Sequence, residues 1–325
     1  MNTAPPTGAS RGSDGRFLNN HRNESHGGPS LLKFLRDMRR RGWKRPTFPK
    51  AHNDPAWLAA NRTQTTFTWI GHASFLVQLG GLNILTDPVL SRRTSPVQWA
   101  GPGRLAPLGL TFDELPKIDV VLISHNHYDH LDDPTVRQLA ARDAPEFVVP
   151  LGLREWFAKR GIGKVTELDW WQSAEPCGLR VHAVPAQHFS GRGAGDRNRT
   201  LWCGFVYEKE GQRHYFAGDT GYGPDFAGIG TRFAPIDVAM IPIGAYDPRS
   251  FMRPVHVDPD EAVRIHQDVG SRLSLAMHWG TFRLTLEPLD EPPVRLTAAL
   301  EAAAIAPDRF AVMAHGETRV LPTTG

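Results

Sequence analysis

Ser124-His125-Asn126-His127-Tyr128-Asp129-His130 is the stretch on which the reading of this chain turns. Three imidazoles and one carboxylate directly follow the apolar run Ile118-Asp119-Val120-Val121-Leu122-Ile123. A buried strand ending in such donors gives a transition-metal site a rigid base, and imidazole with carboxylate suits Zn²⁺, Fe or Mn²⁺. The competing reading is a polar loop without an ion, and donors further along weigh against it. Val184-Pro185-Ala186-Gln187-His188, Phe216-Ala217-Gly218-Asp219-Thr220-Gly221 and Leu275-Ala276-Met277-His278-Trp279 each end a strand-like run in one more donor. His125, His127, Asp129, His130, His188, Asp219 and His278 outnumber the four ligands of a tetrahedral mononuclear site. They suit two ions roughly 3.5–4 Å apart, with Asp219 bridging.

The 325 residues can bury a substantial core, and 40% hydrophobic with 22% charged residues is the composition of an ordinary soluble protein. No apolar run is long enough to span a bilayer, and the N-terminus has no signal-peptide core. Cys177 and Cys203 cannot form a disulfide framework, so the expected compartment is the cytoplasm. Residues 1–50 hold 11 Lys and Arg against 3 Asp and Glu, a net +8 that leaves −5 for the rest. The basic character is therefore local, and no nucleic-acid-binding surface is expected.

Residues 1–28 are rich in Gly, Ser, Asn and Pro and are expected to lack fixed structure, with Arg16–Asn19 as an exception. Residues 29–65 read as a basic helix and a connecting arm. Pro29 and Ser30 would start the helix and Gly42 would stop it. Leu31, Phe34, Leu35 and Met38 share one face, flanked by Lys33, Arg36, Arg39 and Arg40. That helix either packs on the domain or lies on an anionic membrane, where Trp43, Phe48, Lys44 and Arg45 would suit the interface. Residues 66–325 read as one domain. Thr66–Ile70, Ser74–Leu79 and Leu82–Thr86 form a meander, with turns at Gly71-His72 and Gly80-Gly81. Further strands are expected at Leu179–Val184, Leu201–Glu208, His214–Ala217, Val238–Ile241 and Leu273–Met277. Helices are expected at Asp133–Arg142, Leu153–Arg160, Asp258–Val269 and Val294–Ala304. Two strand-rich halves, each followed by helices, suggest two sheets packed face to face with helices outside.

The donor pattern resembles the metallo-β-lactamase superfamily. Trp69-Ile70-Gly71-His72-Ala73, Leu85-Thr86-Asp87-Pro88, Glu167-Leu168-Asp169-Trp170-Trp171, Ile241-Pro242-Ile243-Gly244-Ala245-Tyr246, His256-Val257-Asp258-Pro259, His278-Trp279-Gly280-Thr281-Phe282 and His315-Gly316-Glu317 narrow the resemblance. They are similar to the N-acylphosphatidylethanolamine-hydrolysing phospholipase D family over about Phe67 to Leu321, with an echo at Gly15-Arg16-Phe17. The resemblance implies a four-layer αββα sandwich and two zinc ions, Fe or Mn remaining open. His125, His127 and His188 would hold the first ion; Asp129, His130 and His278 would hold the second; Asp219 would bridge. A hydroxide between the ions would cleave N-acylphosphatidylethanolamine to N-acylethanolamine and phosphatidic acid. Another ester, lactone, amide or soluble phosphodiester is the enzymatic alternative, and a non-catalytic metal-binding membrane protein is the other.

Asp129, Asp219 and His256 are the candidates for catalysis. Asp87 is expected to orient a ligand imidazole. His72 and His315 are expected beside the site, and Gln98 and Trp99 on the lipid path. Arg192 would face phosphate, unless its Gly- and Arg-rich loop is only solvated. A phospholipid substrate, an anionic membrane surface met through Leu31–Met38 at the inner face, and a homodimer complete the expectations.

Overall fold

The computed structural model describes residues 8–21, 31–40 and 45–322. Helix α1 spans Leu31–Arg40 and α2 spans Pro55–Ala60. Pro29, Ser30, Gly42, Trp43 and Lys44, invoked for the start, stop and interface of the basic helix, lie outside the described residues. The strands follow as β1 (Thr66–Gly71), β2 (Ser74–Leu79), β3 (Leu82–Thr86), β4 (Val120–Leu122), β5 (Glu146–Pro150), β6 (Val165–Leu168) and β7 (Ser173–Ala174). Then come β8 (Arg180–Val184), β9 (Gly204–Lys209), β10 (Gln212–Phe216), β11 (Ile236–Pro242), β12 (Ser271–Met277), β13 (Phe310–Ala311) and β14 (Thr318–Val320). The main further helices are α3 (Asp133–Arg142), α4 (Arg154–Ala158), α5 (Asp225–Phe233), α6 (Arg249–Met252), α7 (Pro259–Asp268) and α8 (Glu291–Ala302).

Two seven-stranded sheets result, in the orders β14-β1-β2-β3-β4-β5-β6 and β13-β12-β11-β10-β9-β8-β7. Each is antiparallel on one side and parallel on the other: β3 to β6 run parallel, as do β10 to β13. Alternation along β4 accounts for the layering. Val120 and Leu122 join Phe67, Val77, Phe205 and Phe216 in the core between the sheets. Val121 and Ile123 join Leu139 and Phe157 beneath the outer helices. A strand buried on both faces reads as an unbroken apolar run, as residues 120–123 do. The αββα sandwich is the expected fold.

Parallel neighbours end on the same side. The turns after β3, β4, β10 and β12 carry Asp87, the His125–His130 run, Asp219 and His278, while β8 leads to His188. The donors therefore converge at one rim of the sandwich.

Some expectations need correction. Residues 8–15, 20 and 21, outside the Arg16–Asn19 exception, also meet the body: Ala9 N donates to Asp169 Oδ1 at 2.9 Å and Asn20 Nδ2 to Asp225 Oδ1 at 3.0 Å. The arm before residue 66 is likewise part of the body. Leu58 is buried, Lys50 bridges His315, and Phe48 meets Trp279 at 5.7 Å. Helix α5 was not foreseen, because Gly228 and Gly230 read against helix. At Gly230 a Cβ would lie 1.9 Å from Asp268 O, so close packing on α7 excludes any side chain there.

Candidate metal centre

One buried carboxylate organises part of the centre. Asp87, in the turn after β3, is fully buried. Its Oδ1 accepts from Ser124 N at 2.7 Å; its Oδ2 accepts from Ser124 Oγ at 2.5 Å and from His130 Nδ1 at 2.6 Å. Because the Ser124 hydroxyl donates to the carboxylate, it accepts from His125 Nδ1, 2.9 Å away. Similarly, His188 Nδ1 donates to Val255 O at 2.8 Å. This network assigns the Nδ1–H tautomer to three imidazoles and leaves the Nε2 lone pairs of His125, His130 and His188 facing the centre.

The donors form adjoining sets. His125, His127 and His188 each offer a nitrogen within 4.8 Å of the others, and Asp129, His130 and His278 do the same with His72. Asp219 lies between them. Its Oδ2 is 4.0 Å from His125 Nε2, 3.8 Å from His188 Nε2 and 3.1 Å from His130 Nε2, and its Oδ1 is 3.1 Å from His278 Nε2. Despite that proximity, His130 Nε2, His278 Nε2 and Asp219 Oδ1 are buried without a hydrogen-bond partner among the described residues. Convergent, desolvated donor atoms of this kind are costly unless a cation satisfies them. The residues present thus fit a metal ion.

The electrostatics agree. Burial, reinforced by neighbouring imidazoles, holds His125 far below the usual histidine range and His127 at about 3. Burial also lowers His188, to about 4, against the pull of Asp219. Burial opposes charge on His130 and His278 too, but Asp219 and Asp129 outweigh it, raising His130 well above its usual value and His278 to about 9. Burial would raise Asp129 and Asp219, yet His130 and its neighbours keep both ionised, far below the carboxylate range. His125, His127 and His188 are thus neutral and both aspartates ionised, as metal ligation requires, while His130 and His278, held charged by the two aspartates, would each release a proton when an ion binds.

Around this set the other candidates separate. His72 Nε2 lies 3.0 Å from Asp129 Oδ2, and its carbonyl accepts from His278 N at 3.0 Å, so it braces two donors. His256 Nδ1 is 4.0 Å from Asp219 Oδ2, with no hydrogen-bond partner among the described residues. His315 stands behind the site: its ring lies tilted, 4.2 Å from that of Trp69, and meets Thr281 Oγ1, which accepts from His72 N. Gln98 and Arg192 line one cavity of about 460 Å³ with Tyr128 and Arg160. Gln98 bonds back to the Arg93 backbone, and Trp99 stands 82% exposed. Arg192 is more than a solvated loop residue. Its Nη1 donates to Asn126 O and Leu131 O at 2.8 and 2.7 Å, and its guanidinium lies 4.0 Å from the Tyr128 ring centroid. Arg192 thereby holds the His125–His130 loop.

Sequence reasoning missed Ser124, Thr281 and Asn19. Ser124 was legible in principle, since Thr86-Asp87 and Ile123-Ser124 end adjacent parallel strands. Asn19 fell within the Arg16–Asn19 exception, but nothing in the sequence pointed to its role, which is to bond His188 across 169 positions. Gly218 also matters. It has φ +62, and a Cβ there would lie 2.7 Å from Ser124 Cβ, so Asp219 is carried past the ligand loop at backbone contact distance.

Fold and centre together define a metal-dependent hydrolase. The family model of the beta-lactamase superfamily domain matches residues 82–279. An uncharacterized protein of Mycobacterium tuberculosis is 43% identical over 264 residues, covering 79% of this chain and 70% of its own. The N-acyl-phosphatidylethanolamine-hydrolyzing phospholipase D 1 of Caenorhabditis elegans is 42% identical over 247 residues, covering 72% of this chain and 69% of its own. A metallo hydrolase from Ignicoccus hospitalis superposes with TM-score 0.62 at 24% identity, over 81% of this chain and all of its own. The chain belongs to the beta-lactamase superfamily and, within it, to the N-acylphosphatidylethanolamine-hydrolysing phospholipase D-like family.

Proposed function

We propose that this hydrolase cleaves the distal phosphodiester of N-acylphosphatidylethanolamine, releasing N-acylethanolamine and leaving phosphatidic acid. The observation that carries the reading is Asp219, whose oxygens lie within 4.0 Å of His125, His130, His188, His256 and His278. His125, His127 and His188 would hold one ion, Asp129, His130 and His278 the other, and Asp219 would bridge them; zinc is the proposed metal. When bound, the ion pair supplies an acidified water and offsets the charge that grows on the phosphate oxygens. The water oxygen bonds to phosphorus, the bond to the ethanolamine oxygen breaks, and the water's proton ends on that leaving oxygen. Of the two imidazoles left unassigned, His72 is engaged by Asp129, while His256 stands beside Asp219 and would pass this proton. Arg192 and Gln98, in the cavity alongside Tyr128, would meet the lipid headgroup.

Contact with an anionic lipid surface at the inner face of a membrane is part of this reading. Lys33, Arg36 and Arg40 of α1 and Trp99 are exposed and support it. No helix among the described residues is long and apolar enough to cross a membrane.

The test is zinc-loaded protein with micellar N-acylphosphatidylethanolamine, read by release of N-acylethanolamine, beside a panel of lactones, amides and soluble phosphodiesters. Hydrolysis of a panel member without any lipid cleavage would overturn the substrate assignment. Asp219→Asn should abolish turnover while thermal unfolding of the metal-free chain is retained; unchanged hydrolysis would refute the bridging role.

A further inference from the structure

The geometry points to Asn19 as a positioning residue of the metal centre: its side-chain amide grips the backbone of His188 and so fixes where that imidazole stands. The inference rests on the reading of His188 as a metal ligand.

His188 lies in the loop that follows β8, beyond the last ladder bond of that strand. Its backbone N–H donates to Asn19 Oδ1 at 3.1 Å, and its carbonyl accepts from Asn19 Nδ2 at 2.9 Å. No other bond to either backbone group is found among the described residues. A primary amide is the side-chain group that can donate to a carbonyl and accept from the N–H of one residue at once. The pair fixes the peptide planes on both sides of His188, and with them its Cα–Cβ direction. The bond from Nδ1 to Val255 O then fixes the ring about that axis. A ligand held at both its backbone and its far nitrogen cannot drift from a neighbour 3.3 Å away, here His127 Nδ1.

Asn19 is itself anchored. Its Oδ1 also accepts from Trp202 Nε1 at 3.0 Å. Two residues earlier, Phe17 is buried, exchanges bonds with Asn198 and carries the Arg11 guanidinium 3.7 Å from its ring centroid. Two residues later, the His21 carbonyl accepts from Gln187 Nε2. Residues 8–21 therefore form a strap across the loop that carries His188, and the amide of Asn19 is the strap's contact with the proposed ligand. Asn20, next in sequence, pins the same strap elsewhere, donating to Asp225 Oδ1 at 3.0 Å without touching His188.

The experiment uses the full chain with four sequences: parent, Asn19→Ala, Asn20→Ala and His188→Ala. Zn²⁺ affinity is measured by competition with a chromogenic chelator. The visible absorption of the Co²⁺-loaded protein reports ligand geometry, and circular dichroism melting reports the fold. Loss of an orienting partner outside the ligand shell weakens metal binding about 10–100-fold. The expected result is a loss of that size for one ion in Asn19→Ala, with a shifted Co²⁺ band and a parent-like melt. Its kcat should fall while KM holds. Asn20→Ala should match the parent throughout, and His188→Ala should lose one ion outright. Parent-like affinity and Co²⁺ absorption in Asn19→Ala overturn the proposal, as does an equal loss in Asn20→Ala, which would make the effect one of general strap docking. Parent-like affinity in His188→Ala instead refutes the ligand assignment beneath it.

Discussion

Replacing Asp87 by Asn keeps the shape of the side chain and removes its charge. The amide oxygen can still accept from Ser124 N, but its NH₂ then faces Ser124 Oγ and His130 Nδ1, which lay 2.5 and 2.6 Å from the carboxylate. His130 must move its proton to Nε2, the nitrogen 3.1 Å from Asp219. That proton occupies the lone pair meant for an ion. A bond between a charged group and a buried partner is worth about 1.5–3 kcal/mol, which corresponds to about 10–100-fold in affinity at 1.36 kcal/mol per tenfold. Because the same carboxylate also orients His125 through Ser124, the loss should lie near the upper end. Ser124→Ala touches the His125 branch alone and should cost about tenfold. The double variant should lose less than the two singles combined, since they share one network. Chelator competition at pH 7 measures all three. An Asp87→Asn protein that binds zinc within about twofold of the parent would refute the tautomer argument.

Three further outcomes can be checked. His214, fully buried between Phe67 and Tyr207, is lowered to about 4 by burial, so the unfolded chain binds its proton first as pH falls below about 6.5. Stability should fall between pH 7 and pH 5 by about 2 kcal/mol from this group alone; His214→Phe should remove that loss from stabilities measured by urea unfolding at pH 7 and pH 5, and an equal loss in both proteins would refute it. Gly218→Ala meets Ser124 Cβ at 2.7 Å and Cys203 O at 3.1 Å with left-handed backbone, so it should destabilise by about 1–3 kcal/mol in urea titrations and weaken zinc binding with it. Charge reversal at Arg36 and Arg40 of α1 should weaken binding to anionic vesicles by about 1 kcal/mol per residue at low salt; flotation that is unchanged would remove the membrane contact.

Much of the centre was legible because donors at parallel strand ends share one rim. The apolar run before His125 located β4, and Phe216-Ala217-Gly218-Asp219 located the end of β10. What stayed hidden depends on contacts distant in sequence. Arg16–Asn19 stood out only as an exception within a polar, Gly-rich stretch, and its partners stayed hidden because Asn198 lies 181 positions from Phe17 and His188 lies 169 from Asn19. Arg192 read as a phosphate contact or a solvated residue, because nothing in its own loop announces the carbonyls of Asn126 and Leu131. Composition reports what a segment can bury by itself; it does not report what another segment buries it against.

The division of the donors between two sheets also sets a clock on the centre. His125, His127, Asp129 and His130 leave the ribosome together, whereas His188, Asp219 and His278 follow as much as 148 residues later. At roughly 5–20 residues per second, the set is incomplete for about 7–30 s of synthesis. An ion captured early meets only the first half of its ligands and remains free to exchange. On the proposed ligand assignment, lasting metal uptake would therefore belong to the end of biosynthesis, when the second sheet docks on the first.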